Sequence, residues 1–148
     1  MNLMFRGSVS IGSILTDDGN VIESASVSQP LAAGASNVHW QGAGEVPAES
    51  DVLLELDALP QQAFGDEGAV GLASIHAVYL RNTGAVDLEV GGWQQLVGVG
   101  HLTLRPGGLL VITAPSAGFP VASGDCLSLN NASSAAAAYE ILLVGVRA

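Results

Sequence analysis

Short runs in which apolar and polar residues alternate recur along this chain, and they predict strands. In Val86-Asp87-Leu88-Glu89-Val90, three aliphatic side chains fall on one face and two carboxylates on the other, the signature of a half-buried strand. From Val52 to Leu59 the residues Val52, Leu54, Leu56 and Ala58 alternate with Leu53, Glu55, Asp57 and Leu59, a strand with one mixed face. Ile75 to Asn82, with Ile75, Ala77 and Tyr79 set against Val78 and Leu80, reads as a more buried strand. Leu102 and Leu104 flank Thr103, and Pro106-Gly107-Gly108 then turns the chain into Leu109 to Ile112. Leu127 and Leu129 alternate with Ser128 and Asn130, Asn131 to Ser134 forms a loop, and Tyr139 to Val146 forms a long last strand. Four alanines, Ala135 to Ala138, are too few to nucleate a helix ahead of that strand.

The first 50 residues are less regular. Leu3 to Leu15 holds one or two strands, Asp17-Asp18-Gly19-Asn20 is a hairpin turn, and Val21 to Gln29 is the return strand. Gly34 to Glu49 reads as a long loop enclosing a short strand around Val38-His39-Trp40. Nineteen glycines and six prolines keep all the segments short. The expectation is an all-β, single-domain antiparallel sandwich, jelly-roll-like, with about ten short strands and little helix. Residues 51–148 would form the main sandwich, and 1–50 a less regular part able to act as an arm.

Composition narrows the function. At 148 residues the chain can bury a core without metals or disulfides, and 49% apolar residues exclude general disorder. Charged residues are only 12%, about half the usual ~25%. Lysine is absent, and the basic residues are Arg6, Arg81, Arg105 and Arg147. The outer surface is therefore either neutral and polar or partly covered by a partner. A net charge of −10 argues against nucleic acid and against anionic membrane, both of which reward clustered Lys and Arg. No apolar run approaches the ~20 residues of a membrane span, and the N-terminus carries no signal-like apolar stretch, so a soluble product is expected.

Catalytic patterns are missing. His39, His76 and His101 are isolated, without the His-x-His or His-Glu-x-x-His spacing of metal sites. Asp17 to Asn20 lacks the spaced ligands of a calcium loop. Cys126 is the only cysteine and has Asp125 beside it, which disfavours a thiolate. Glu55 and Asp57, or Asp87 and Glu89, are i,i+2 pairs better read as the wet side of a sheet than as a hydrolytic pair. Gly98-Val99-Gly100 lacks a dinucleotide fingerprint and permits a bend. The chain is thus expected to be no enzyme, with no catalytic residue, cofactor or metal. Trp40 and Trp93, each beside glutamine and glycine, remain as candidate interaction residues, either anchoring a partner or sugar or covering the edge of the core.

Taken in series, Asp51 to Leu56, Val78 to Thr83, Leu88 to Gly92, Leu104 to Gly108, Gly124 to Asn131 and Tyr139 to Gly145 resemble small β-sandwich virion proteins of tailed bacteriophages. The resemblance covers about two thirds of the chain and is one of pattern, without a single diagnostic motif. It implies a non-enzymatic structural role made in the host cytoplasm and carried in the virion. The first form of that role is a capsid decoration (cement) protein. Such a protein binds the major capsid protein on the outer head, or other virion proteins, as a homo-oligomer with a trimer favoured. A tail or fibre component is the alternative, as is a glycan- or receptor-binding module.

Overall fold

The structure, a computed structural model, describes residues 7–17, 20–31, 34, 36–60 and 69–148. Two strands come first, β1 (Gly7–Asp17) and β2 (Asn20–Leu31), followed by β3 (Val38–Val46) and β4 (Ser50–Glu55). Two short strands, β5 (Leu59–Pro60) and β6 (Ala69–Val70), precede the long β7 (Leu72–Asn82) and β8 (Leu88–Gly91). A single helical turn, α1 (Gln94–Val97), leads to β9 (His101–Leu104) and β10 (Leu109–Thr113). The chain ends with β11 (Phe119–Pro120), β12 (Cys126–Asn131) and β13 (Ala137–Arg147).

Two antiparallel sheets form the body. One has the order β10-β7-β13-β3, with β11 also paired to β7, and the other has the order β4-β12-β8-β9. Leaving aside the two-residue β11, only the link from β8 to β9 among these eight strands stays within one sheet; every other link passes from one sheet to the other. That strand order is the jelly roll, and the fold is all-β as the alternation predicts.

Period-2 alternation fills the space between the sheets. β13 turns Tyr139, Ile141 and Leu143 inward, β12 turns Leu127 and Leu129, and β8 turns Leu88 and Val90, all buried in one core. Asn82 and Asn131 are the exceptions, each fully buried at the last position of its strand. Asn82 donates through Nδ2 to the carbonyls of Val86 (2.7 Å) and Leu104 (2.8 Å), and its Oδ1 accepts from the Gly84 amide. Asn131 donates to the carbonyls of Val46 (3.0 Å), Pro47 (3.1 Å) and Ala135 (2.8 Å) and accepts from Ser133. Buried polar side chains persist when satisfied in this way, and here they stitch strand ends to loops.

Three expectations need correction. The segment after Gly34 is mainly strand: β3 runs to Val46 and pairs with β13 along its whole length. The sandwich therefore begins near residue 38, not 51. Gly42 and Gly44 do not interrupt β3, because the Trp40 indole lies over Gly42 and the Tyr139 ring lies beside Gly44, so a side chain at either would meet an aromatic group. Thirteen strands occur among the described residues, more than the ten expected, because β5, β6 and β11 are only two residues each.

Candidate functional site

β1 and β2 pair with each other and with no other strand among the described residues. They form a two-stranded ribbon whose register sets Gly7 opposite Leu31, Val9 opposite Gln29 and Ile11 opposite Val27. Asp18 and Gly19 of the expected turn lie outside the described residues, but the flanking pair Asp17 and Asn20 is in register for a hairpin. Ser8, Ser10, Ser26 and Ser28 alternate with this row, so Val9, Ile11, Val27 and Leu31 share one side of the ribbon with Gln29 and the serines share the other. Ile11 and Val27, a directly opposed pair, are 69% and 70% exposed.

The foot of the ribbon sits against the outer face of the β10-β7-β13-β3 sheet. Val9 and Leu31 close one side of a gap of about 240 Å³, and Ala77, Tyr79, Leu142 and Val144 close the other. Ala77 and Val144 form a second small buried cluster there, with Leu142 packed on it. β7 and β13 are therefore apolar on both faces here, which is why Ala77 to Leu80 reads as a continuous apolar run. Toward one end the face turns polar. The Tyr79 hydroxyl donates to Glu140 Oε1 at 2.8 Å, and the Arg81 guanidinium stands 3.7 Å from the same carboxylate oxygen. The hydrogen bond to Glu140, then burial, hold the Tyr79 phenol above its ordinary pKa. Burial alone does the same for Tyr139 inside the sandwich.

The two tryptophans lie elsewhere than on the surface. Trp40 is 6% exposed on the inner face of β3, and its Nε1 donates to the Pro60 carbonyl at 2.8 Å. Trp93 is 2% exposed and meets Phe119 edge-on, with ring centroids 5.9 Å apart. The reading of these residues as exposed anchors is corrected: both indoles are core, and the glycines beside them allow close packing. Gly92, at φ 83°, brings the backbone so near the Cys126 carbonyl that a side chain there would stand 2.9 Å from it. A shallow cleft of about 370 Å³ borders Trp93, rimmed by Gln94, Gln95 and Asp125. The Asp125 carboxylate is already engaged by the Ala122 amide at 2.8 Å.

The remaining polar candidates are dispersed. His76 is buried in β7 with Nε2 at 3.1 Å from Ser74 Oγ, and His101 lies in β9 at 3.7 Å from Glu89. His39 is in β3. Asp57 braces a turn by accepting from the Gly124 amide at 3.1 Å, and Cys126 Sγ lies 3.4 Å from the Gly124 carbonyl. No group of three or more His, Cys, Asp or Glu side chains placed to hold a metal occurs among the described residues. No helix there is long and apolar enough to cross a membrane.

What the sequence reading missed is the apolar row of the ribbon and the outer sheet face beneath its foot. The signal was present in Val9-Ser10-Ile11 and in the serines around Val27, but alternation does not say which face lacks a cover.

No protein-family model matches the chain, and no curated protein matches it. Among solved structures, the Schizosaccharomyces pombe Cnp3 cupin domain is similar at 10% identity and a TM-score of 0.41, over 95% of this chain and 86% of that one. The jelly-roll assignment rests on the strand order given above.

Proposed function

We propose that this chain is a non-enzymatic structural protein of a tailed-phage virion, a decoration protein that binds the outer head surface as a homo-oligomer. The observation that carries the contact role is the ribbon, which stands off the jelly roll with Ile11 and Val27 side by side in solvent. An opposed aliphatic pair at about 70% exposure on an isolated ribbon is surface built for cover, since large exposed apolar rows mark interaction sites. Leu109, 52% exposed, borders the foot of the ribbon, while Leu53 and Leu102, at 58% and 39%, are exposed on the other sheet. The virion placement is supported by the resemblance of the strand series, and a net charge of −10 suits an outer surface better than packed DNA.

The test is quantitative mass spectrometry of purified particles of the phage that encodes the chain. Decoration predicts a copy number comparable to that of the major capsid protein. A few copies per particle would move the chain to the tail, and absence from the particle would remove the virion reading.

A further inference from the structure

The geometry points to the gap under the ribbon's foot as a binding site for a small uncharged apolar molecule, a ring system somewhat larger than benzene. This site is a separate feature from the exposed Ile11 and Val27 pair and does not rest on the virion reading.

Both walls of the gap belong to this chain. Val9 and Leu31 of the ribbon form one, and Ala77, Val111, Leu142 and Val144 of the sheet form the other. A space of about 240 Å³ between two walls admits a small molecule, not the face of a partner protein. The register shows where the room comes from. Across the sheet Ala77 lies between Thr113 and Val144, and the next outward residue, Tyr79, lies between Val111 and Leu142. Ala77 brings only a methyl group to a floor whose neighbours are all larger.

The exit of the ribbon is clamped, so its foot does not settle onto that floor. At Gly34, with φ 57°, the backbone passes over the His76 ring and so near Pro115 that a Cβ would overlap its carbonyl. Three residues on, the Asn37 amide donates to the Gly145 carbonyl at 2.9 Å, and Asn37 Oδ1 accepts from the Arg147 amide at 2.9 Å. His76 is itself the extra residue of a bulge, set between Ala77 and Ile75 where β13 has consecutive Val144 and Gly145. The ribbon thus leaves the body at a height fixed by β7, β13 and the segment after β10.

The lining selects the ligand. Tyr79 is the one ionisable residue in it, and its hydroxyl is already given to Glu140, which Arg81 also faces. A charged ligand would lose its hydration there and gain no counter-charge. An apolar ligand loses nothing polar, and the Ser8 and Thr113 hydroxyls can serve one polar atom on it. A cavity of about 150 Å³ with apolar walls already takes up benzene, so this one suits a bicyclic ring such as indole.

The experiment is an amide-resolved NMR titration of the full chain with indole as the probe. Shifts are expected at the amides of Ala77, Tyr79, Leu142 and Val144, with a Kd of about 0.1–1 mM. Benzoate, a charged ring, is expected to leave those amides unmoved. Ala77→Leu and Val111→Phe fill the gap from two strands, and each should weaken indole at least about 10-fold while the melting temperature holds or rises. Should Ala77→Leu fail to fold, Val111→Phe on the edge strand β10 carries the same test. Absence of shifts at these amides at millimolar indole overturns the site. So do shifts confined to the cleft beside Trp93, or binding that neither filling variant weakens. Equal binding of benzoate overturns the choice of an uncharged ligand.

Discussion

Replacing Asn131 by alanine removes the side chain that ties three parts of the jelly roll together. Its Nδ2 holds the carbonyl of Val46 at the end of β3, that of Pro47 in the loop before β4, and that of Ala135 in the link to β13. Its Oδ1 accepts from the Ser133 amide and hydroxyl at 3.0 and 2.9 Å. The residue is fully buried, so water does not compensate at once. Ser133 Oγ keeps its bond to the Ala135 carbonyl at 2.8 Å, which leaves the Val46 and Pro47 carbonyls and the Ser133 amide stranded. At about 1–3 kcal/mol for each unsatisfied buried group, with some relaxation, Asn131→Ala costs about 3–5 kcal/mol. That is a large share of the 5–15 kcal/mol typical of a whole domain. In urea denaturation followed by tryptophan fluorescence, with m near 2 kcal/mol/M, the midpoint falls by about 2 M at unchanged m. Asn131→Asp separates donor from filler. It keeps the shape but points a carboxylate oxygen at carbonyls, so it should be at least as damaging as alanine. A loss under about 1 kcal/mol for either variant refutes the stitching role.

Asn82→Ala, which shares no partner with Asn131, should cost about 2–4 kcal/mol, and the double variant should show near-additive losses in the same assay. Gly145→Ala should destabilise by at least about 2 kcal/mol in thermal melts, because the new methyl meets the Ser74 carbonyl across the β13–β7 ladder and only the backbone can yield. Leu143→Ala, at a fully buried position, should cost about 2–5 kcal/mol by the same measurement. The raised phenol of Tyr79 means that the folded state holds that proton more tightly than the unfolded chain. Its contribution is complete below about pH 10 and is lost as pH rises through the elevated folded value. Tyr79→Phe should flatten part of the alkaline fall in melting temperature, with the Tyr139 part remaining.

Much of the sandwich was legible because its strands are half-buried in the simple sense. Leu88 and Val90, Leu127 and Leu129, and Tyr139 to Leu143 alternate in sequence and in burial alike. β3 was under-read because glycines in a strand normally argue for a turn, and only the three-dimensional contacts show Gly42 making room for Trp40. Trp93 reads from sequence as either a contact residue or a cover over the core edge for the same reason: glycine neighbours resemble a loop tip, yet here they admit a close approach of the chain to the core. The outer face of β7 and β13 was hidden because a strand apolar on both sides has no period to read. The hairpin was legible, but its isolation was not. Which strand a strand pairs with is a property of the whole topology, and the exposure of Ile11 and Val27 follows from it.

The account turns on outward apolar surface serving contact on a particle. Electron microscopy of the intact particle measures that directly. It should find jelly rolls on the outer head with their N-terminal ribbons seated against a neighbouring molecule. A shell bare of such density, or bodies whose ribbons stand free in solvent, would contradict it.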